Sequence, residues 1–100
     1  MKAVILSADN APSVYLVPDL VASNLEHYCT DFDHWLHHSP QAAGYRRGKV
    51  VCYNEMDFVA YLNRRFPQTP SVLVERLDLS LEEIPQRLPQ RWQGAPWFNF

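Results

Sequence analysis

The sequence predicts an α+β domain: a small, mostly antiparallel sheet in the order ββαβαβ, two helices on one face, and an irregular aromatic C-terminal tail. Three observations lead there. Two apolar, β-branched-rich runs flank turn chemistry near the start, and a long stretch then repeats apolar residues every three to four positions. A second, shorter helical repeat is followed by an alternating strand pattern. One hundred residues make one domain, spanning 1–100.

Ala3 to Ala8 and Ser13 to Val17 read as a hairpin joined by Asp9-Asn10-Ala11-Pro12. The apolar opening matches a secretory leader for only about six residues before Asp9 and Asn10 interrupt it, which favours a first strand. Pro18 suits the first position of a helix, and Asp19 the positive end of its dipole. That helix is expected to run unbroken from Pro18 or Asp19 to His38 and to stop before Pro40. Val21, Leu25, Tyr28, Phe32, Trp35 and Leu36 form its buried face.

Gln41 to Lys49 reads as a loop, and Val50 to Tyr53 as a short buried strand. Asn54, with Asp57 three residues on, caps a second helix whose apolar face is Phe58, Tyr61, Leu62 and Phe66. Pro67 and Pro70 end it, and Ser71 to Leu77 alternates as a strand. Ser80-Leu81-Glu82-Glu83 caps one short turn, because Pro85 and Pro89 prevent a long helix. The tail closes on Pro96-Trp97-Phe98-Asn99-Phe100, too aromatic for a disordered end, so it should pack on its own domain or on a second chain.

Composition narrows the function classes. The chain is 47% hydrophobic, 20% charged and 13% aromatic, as an ordinary globular protein is. No apolar run is long enough for a membrane helix. Cys29 and Cys52 make no disulfide scaffold, which suits a cytoplasmic protein with reduced thiols. The net charge of −2 conceals an asymmetry: residues 1–44 set Lys2 against five acids, net −4, while residues 45–100 carry net +2. Opposed patches of that kind favour association with a partner or a second copy.

One constellation has ligand chemistry. On a helical wheel His27, Asp31, His34 and His38 fall within about 60° of one another. The i,i+4 pairs have the spacing of a zinc half-site, but no further Cys/His cluster completes it, and four residues spread over three turns cannot close on one ion. The plain alternative is a solvated polar face that would gain charge near pH 6.5. Cys52 stands two residues before the second helix, where a dipole lowers a thiol pKa, yet it sits in Val50-Val51-Cys52-Tyr53 as a buried strand cysteine does. Tyr45, Arg46, Arg47 and Lys49 form a compact anion-binding patch, supported by Arg64-Arg65 and by Arg87 and Arg91 beside Trp92. Interrupting acids and a pI near 6.0 argue against nucleic acid. There is no glycine-rich phosphate loop and no nucleophile elbow, so nothing specific warrants an enzyme.

Val17-Pro18-Asp19, His34-Trp35-Leu36-x-His38-Ser39-Pro40, Cys52-Tyr53-Asn54-Glu55-x-Asp57-Phe58 and the ending Pro96-x-Phe98-Asn99-Phe100 resemble a group of small uncharacterised proteins of Gram-positive gut bacteria. The resemblance spans nearly the whole chain. It implies a stand-alone cytoplasmic domain and brings no activity, ligand or fold with it. The functional expectation is therefore a non-enzymatic binding or interaction module, meeting an unknown protein partner or itself through Trp92, Trp97, Phe98 and Phe100. The alternative is a metal- or small-ligand-binding domain on the His/Asp stripe, with zinc as the metal and no other cofactor. Nucleic-acid binding stands third.

Overall fold

The computed structural model describes residues 1–8, 11–84 and 86–100. The expected turn residues Asp9 and Asn10, and Pro85, lie outside the described residues. Strands β1 (Lys2–Ser7) and β2 (Ser13–Val17) pair antiparallel from Lys2↔Val17 to Leu6↔Ser13. Both are buried along most of their length, because each serves two cores. Val4, Leu6, Tyr15 and Val17 point into the larger core, beneath the helices, while Ile5 and Val14 join a smaller core on the opposite face. Burial on both faces accounts for the unbroken apolar run of β1.

The long helix of the sequence reading is two helices, α1 (Asp19–Ser23) and α2 (Leu25–His38). Asn24 breaks it with φ −137° and ψ 40°. Its side-chain amide donates back to the Leu20 carbonyl at 2.9 Å, while its own carbonyl accepts from the Tyr28 N–H. Ser and Asn compete with helical backbone in this way, and apolar periodicity does not register it. α2 ends at His38 as expected; Pro40–Tyr45 then forms a 3₁₀ turn.

The expected buried strand at Val50 to Tyr53 is shorter and lies elsewhere. β3 (Arg46–Arg47) and β4 (Val50–Val51) make a separate two-stranded hairpin, turning through Gly48 at φ 62°. Val50 and Cys52 are exposed while Val51 and Tyr53 pack towards the core, because the hairpin pairs with itself and not with the main sheet. The second predicted helix is α3 (Glu55–Arg65), with its cap formed as read: Asn54 Oδ1 accepts from the N–H groups of Met56 and Asp57, and Asp57 Oδ2 accepts from the Asn54 N–H.

β5 (Val72–Arg76) pairs antiparallel with β2, and β6 (Trp97–Asn99) pairs parallel with β1, giving the order β5-β2-β1-β6. The end of the aromatic tail is thus a strand rather than irregular chain, held also by Ile5 N–H to Pro96 O and Phe100 N–H to Ser7 O. Between β5 and β6 the chain crosses the face the helices leave open. Leu77, Ile84 and Leu88 bury against Ile5 and Val14 there, with Trp92 packed alongside. The larger core centres on Phe32, ringed by Trp35, Tyr53, Phe58, Tyr61 and Phe100 at centroid distances of 5.4–6.1 Å. Full burial of such a ring contributes about 1.5–3 kcal/mol.

Candidate functional site

The His/Asp stripe is on the exposed side of α2, but it divides into two pairs. His27 Nε2 lies 3.3 Å from Asp31 Oδ2, whose other neighbour is Arg65 of α3 at 3.5 Å. His34 and His38 lie with ring centroids 4.4 Å apart and their planes tilted by 37°. Asp31 is therefore committed to an imidazole and a guanidinium, one turn before the second pair. Among the described residues no three His, Cys, Asp or Glu stand together as a ligand set for a metal.

The anion-binding patch is spent mainly on structure. Arg46 donates from Nη1 to the Leu36 carbonyl at 2.7 Å and from Nη2 to the Ser39 carbonyl at 2.9 Å, satisfying carbonyls at the negative end of α2. Tyr45 is half-buried against Trp35, and Arg47 donates to the Gly44 carbonyl at 2.8 Å. Lys49 is exposed in the hairpin turn. Arg64 lies 4.7 Å over the Trp35 ring, and Arg65 sits over Tyr28 while donating to the Tyr61 hydroxyl. The sequence reading assigns these arginines to an anion; in the structure Arg64 and Arg65 lie over aromatic rings of their own domain.

The tail residues part company. Phe98 and Phe100 pack on the larger core and Trp92 on the smaller, so all three have partners inside the domain. Trp97 remains 48% exposed at the β6 edge. The two cysteines differ in burial. Burial, helped by Glu26, pushes the Cys29 thiol up to about 12, so it stays protonated at neutral pH. Cys52 is exposed, with its N–H bonded to the Tyr45 carbonyl.

Two features lay outside the sequence reading. Val72, Leu73 and Val74 of β5 are 48, 45 and 41% exposed on a strand with no neighbour beyond it. Their apolar alternation suggested an ordinary strand; only strand order makes it an edge. The other is Glu55, only 3% exposed. It precedes Phe58 by three residues and Val59 by four, so wheel position was the one available signal. No family model, curated protein or solved structure matches this chain.

Proposed function

We propose that this domain is a non-enzymatic interaction module that self-associates through the free edge of β5. The observation that carries the reading is the run Val72-Leu73-Val74, three consecutive exposed apolar residues on an outer strand. Such an edge presents unpaired N–H and C=O groups that invite another strand. A second copy is the occupant that fits best. Antiparallel pairing about a two-fold axis at Leu73 sets Leu73 against the partner's Leu73 and Val72 against the partner's Val74, apolar on apolar throughout.

Local features keep that contact short and closed. The β2 register passes from Glu75 to Leu73 and skips Val74, a bulge that bends the edge, and Pro70 stands just before the strand. The opposite edge, β6, is three residues long and parallel to its neighbour, so a growing fibre lacks a matching second edge. The tail contributes Trp97 as its exposed aromatic, the others being engaged within the domain.

Light scattering from micromolar to millimolar protein tests this. A dimer is expected, lost in Leu73→Lys and retained in Trp97→Ser. A wild type that stays monomeric throughout sinks the reading, and loss in Trp97→Ser alone transfers the contact to the tail.

The close pair His34 and His38 favours a second, zinc-dependent reading. They offer two points of a tetrahedral site whose remaining ligands would come from another copy. Zinc would then increase mass and melting temperature together; neither changing removes it. No helix among the described residues is long and apolar enough to cross a membrane. The unpaired Cys29 and Cys52 support a reducing, cytoplasmic location.

A further inference from the structure

A cavity of about 290 Å³ opens between α2 and the end of the chain. Cys29, Thr30 and Asp33 line it from within one turn of α2, Tyr53 from the stretch before α3, and Phe98 and Phe100 from β6 and the residue after it. Phe98 and Phe100 are two apart and so share a face of the extended chain, the face that meets the larger core. Both are fixed to the sheet: Phe98 pairs with Leu6, and the Phe100 N–H donates to the Ser7 carbonyl at 2.9 Å.

The three rings cross one another instead of lying flat together. Tyr53 and Phe100 have centroids 6.0 Å apart and planes at 83°; Phe98 and Phe100 are 4.9 Å apart at 60°. Phe32 and Phe58 behind them are fully buried, whereas Tyr53, Phe98 and Phe100 are only partly so. Aromatic surface is therefore left over at the cavity, and ring faces attract cations. The Cys29 thiol, protonated at neutral pH, adds a polarisable wall without charge. Asp33 brings a carboxylate to the rim, in the acidic part of the chain. Its nearest ionic partner is His37 Nδ1 at 3.6 Å, beyond hydrogen-bond reach, and that nitrogen is already bonded to the Asp33 carbonyl at 2.8 Å. No lysine or arginine is among the residues that line the cavity.

We infer that this cavity binds a small methylated ammonium cation, a trimethylammonium head of the choline type, with Tyr53, Phe98 and Phe100 around its methyl groups and Asp33 beside its charge. Such a cation has no N–H to donate and a greasy surface, so ring faces and one carboxylate recognise it fully. An anion would meet the Asp33 charge unpaired, and a bare metal ion would exchange its water for rings. The volume stands at the lower end of ligand cavities, about 300 Å³, which suits a headgroup and little more. The site is separate from the β5 edge contact and does not depend on it.

Titration of the full chain with choline chloride at neutral pH, followed by amide and side-chain NMR shifts, tests the site. Sodium chloride at equal ionic strength and the neutral analogue of choline in which carbon replaces the nitrogen serve as controls. The expected result is a saturable shift confined to Cys29–Asp33, Tyr53 and Phe98–Phe100, with Kd on the order of millimolar. The neutral analogue should bind at least about threefold more weakly, as should choline to Asp33→Asn. Asp33 is exposed, so that variant keeps the fold; Tyr53→Leu, which removes one ring, should weaken choline to a similar degree. Shifts no larger than those in sodium chloride overturn the proposal. Equal affinity for the neutral analogue reduces the cavity to an apolar pocket and overturns it too, as does choline binding undiminished in Asp33→Asn.

Discussion

Glu75 shows how much a single half-buried carboxylate can organise. Arg91 Nη2 donates to both its oxygens at 2.7 and 2.9 Å, and Trp92 Nε1 donates at 2.8 Å. These bonds stitch β5 to the 3₁₀ turn at Gln90–Trp92, sixteen residues away in sequence, and hold the Glu75 carboxyl below its ordinary range of about 4.5. A depressed carboxylate stabilises the fold above its unfolded pKa and loses that contribution as pH falls through the folded value. Melting temperature should therefore decline on acidification below about pH 4.5, and less steeply in Glu75→Gln. Equal slopes in the two proteins would remove Glu75 from the account. Glu83, depressed by the Ser80 backbone and hydroxyl and then by Arg87, adds a decline of the same sign that the variant keeps. Arg91 beside Trp92 looked like a phosphate grip in the sequence. Its carboxylate partner was invisible there because nothing local links residue 75 to residue 91.

Among the elements, those set by neighbouring residues were the legible ones. Asn54 and Asp57 cap α3 from within four positions, and α2 stops at the residue pair before Pro40. Asn24 was harder, since it neither interrupts the apolar repeat nor forbids a helix; its side chain simply outcompetes the backbone at Leu20. β6 was illegible as a strand because its three residues acquire that conformation from β1 and not from their own propensity. Its removal should be severe. A chain ended after Gly94 loses Phe98 and Phe100 from the larger core and strips the ladder from one side of Ile5–Ser7. Both rings are partly buried, so losing their packing costs less than the roughly 3–5 kcal/mol of a fully buried ring each, but the lost strand pairing adds to it. Against a total of about 5–15 kcal/mol, the shortened chain should be unfolded or molten by near-UV circular dichroism and thermal melting. A cooperative transition at the full-length temperature would show the strand to be dispensable.

At the scale of the whole molecule, a single sheet is covered twice, by helices on one face and by a nearly helix-free C-terminal segment on the other. The two cysteines report on that arrangement. Cys29 is buried in the larger core with its thiol pushed up to about 12, while Cys52 is exposed outside it. A thiol reagent at neutral pH should modify one cysteine at once and the second only as fast as the core opens, with denaturant merging the two phases. Two rapid equivalents in the native protein would contradict the packing of α2 on the sheet.

What the sequence by itself determined was local and periodic: the first hairpin, the apolar faces of α2 and α3, the cap of α3, the stop of α2 before Pro40, and the α+β class that follows from them. Those features depend on residues within a turn or two of each other, where sterics, capping and side-chain period operate directly. Tertiary structure alone decided which strands are neighbours, and three consequences follow from that choice. It left Val72-Leu73-Val74 on an outer edge, turned the end of the aromatic tail into a strand, and buried Glu55 at the start of α3. Exposure and burial are properties of the assembled surface. The same apolar triplet is a core strand or an exposed edge, and the same glutamate a solvated residue or a buried one, according to what the rest of the chain lays beside it.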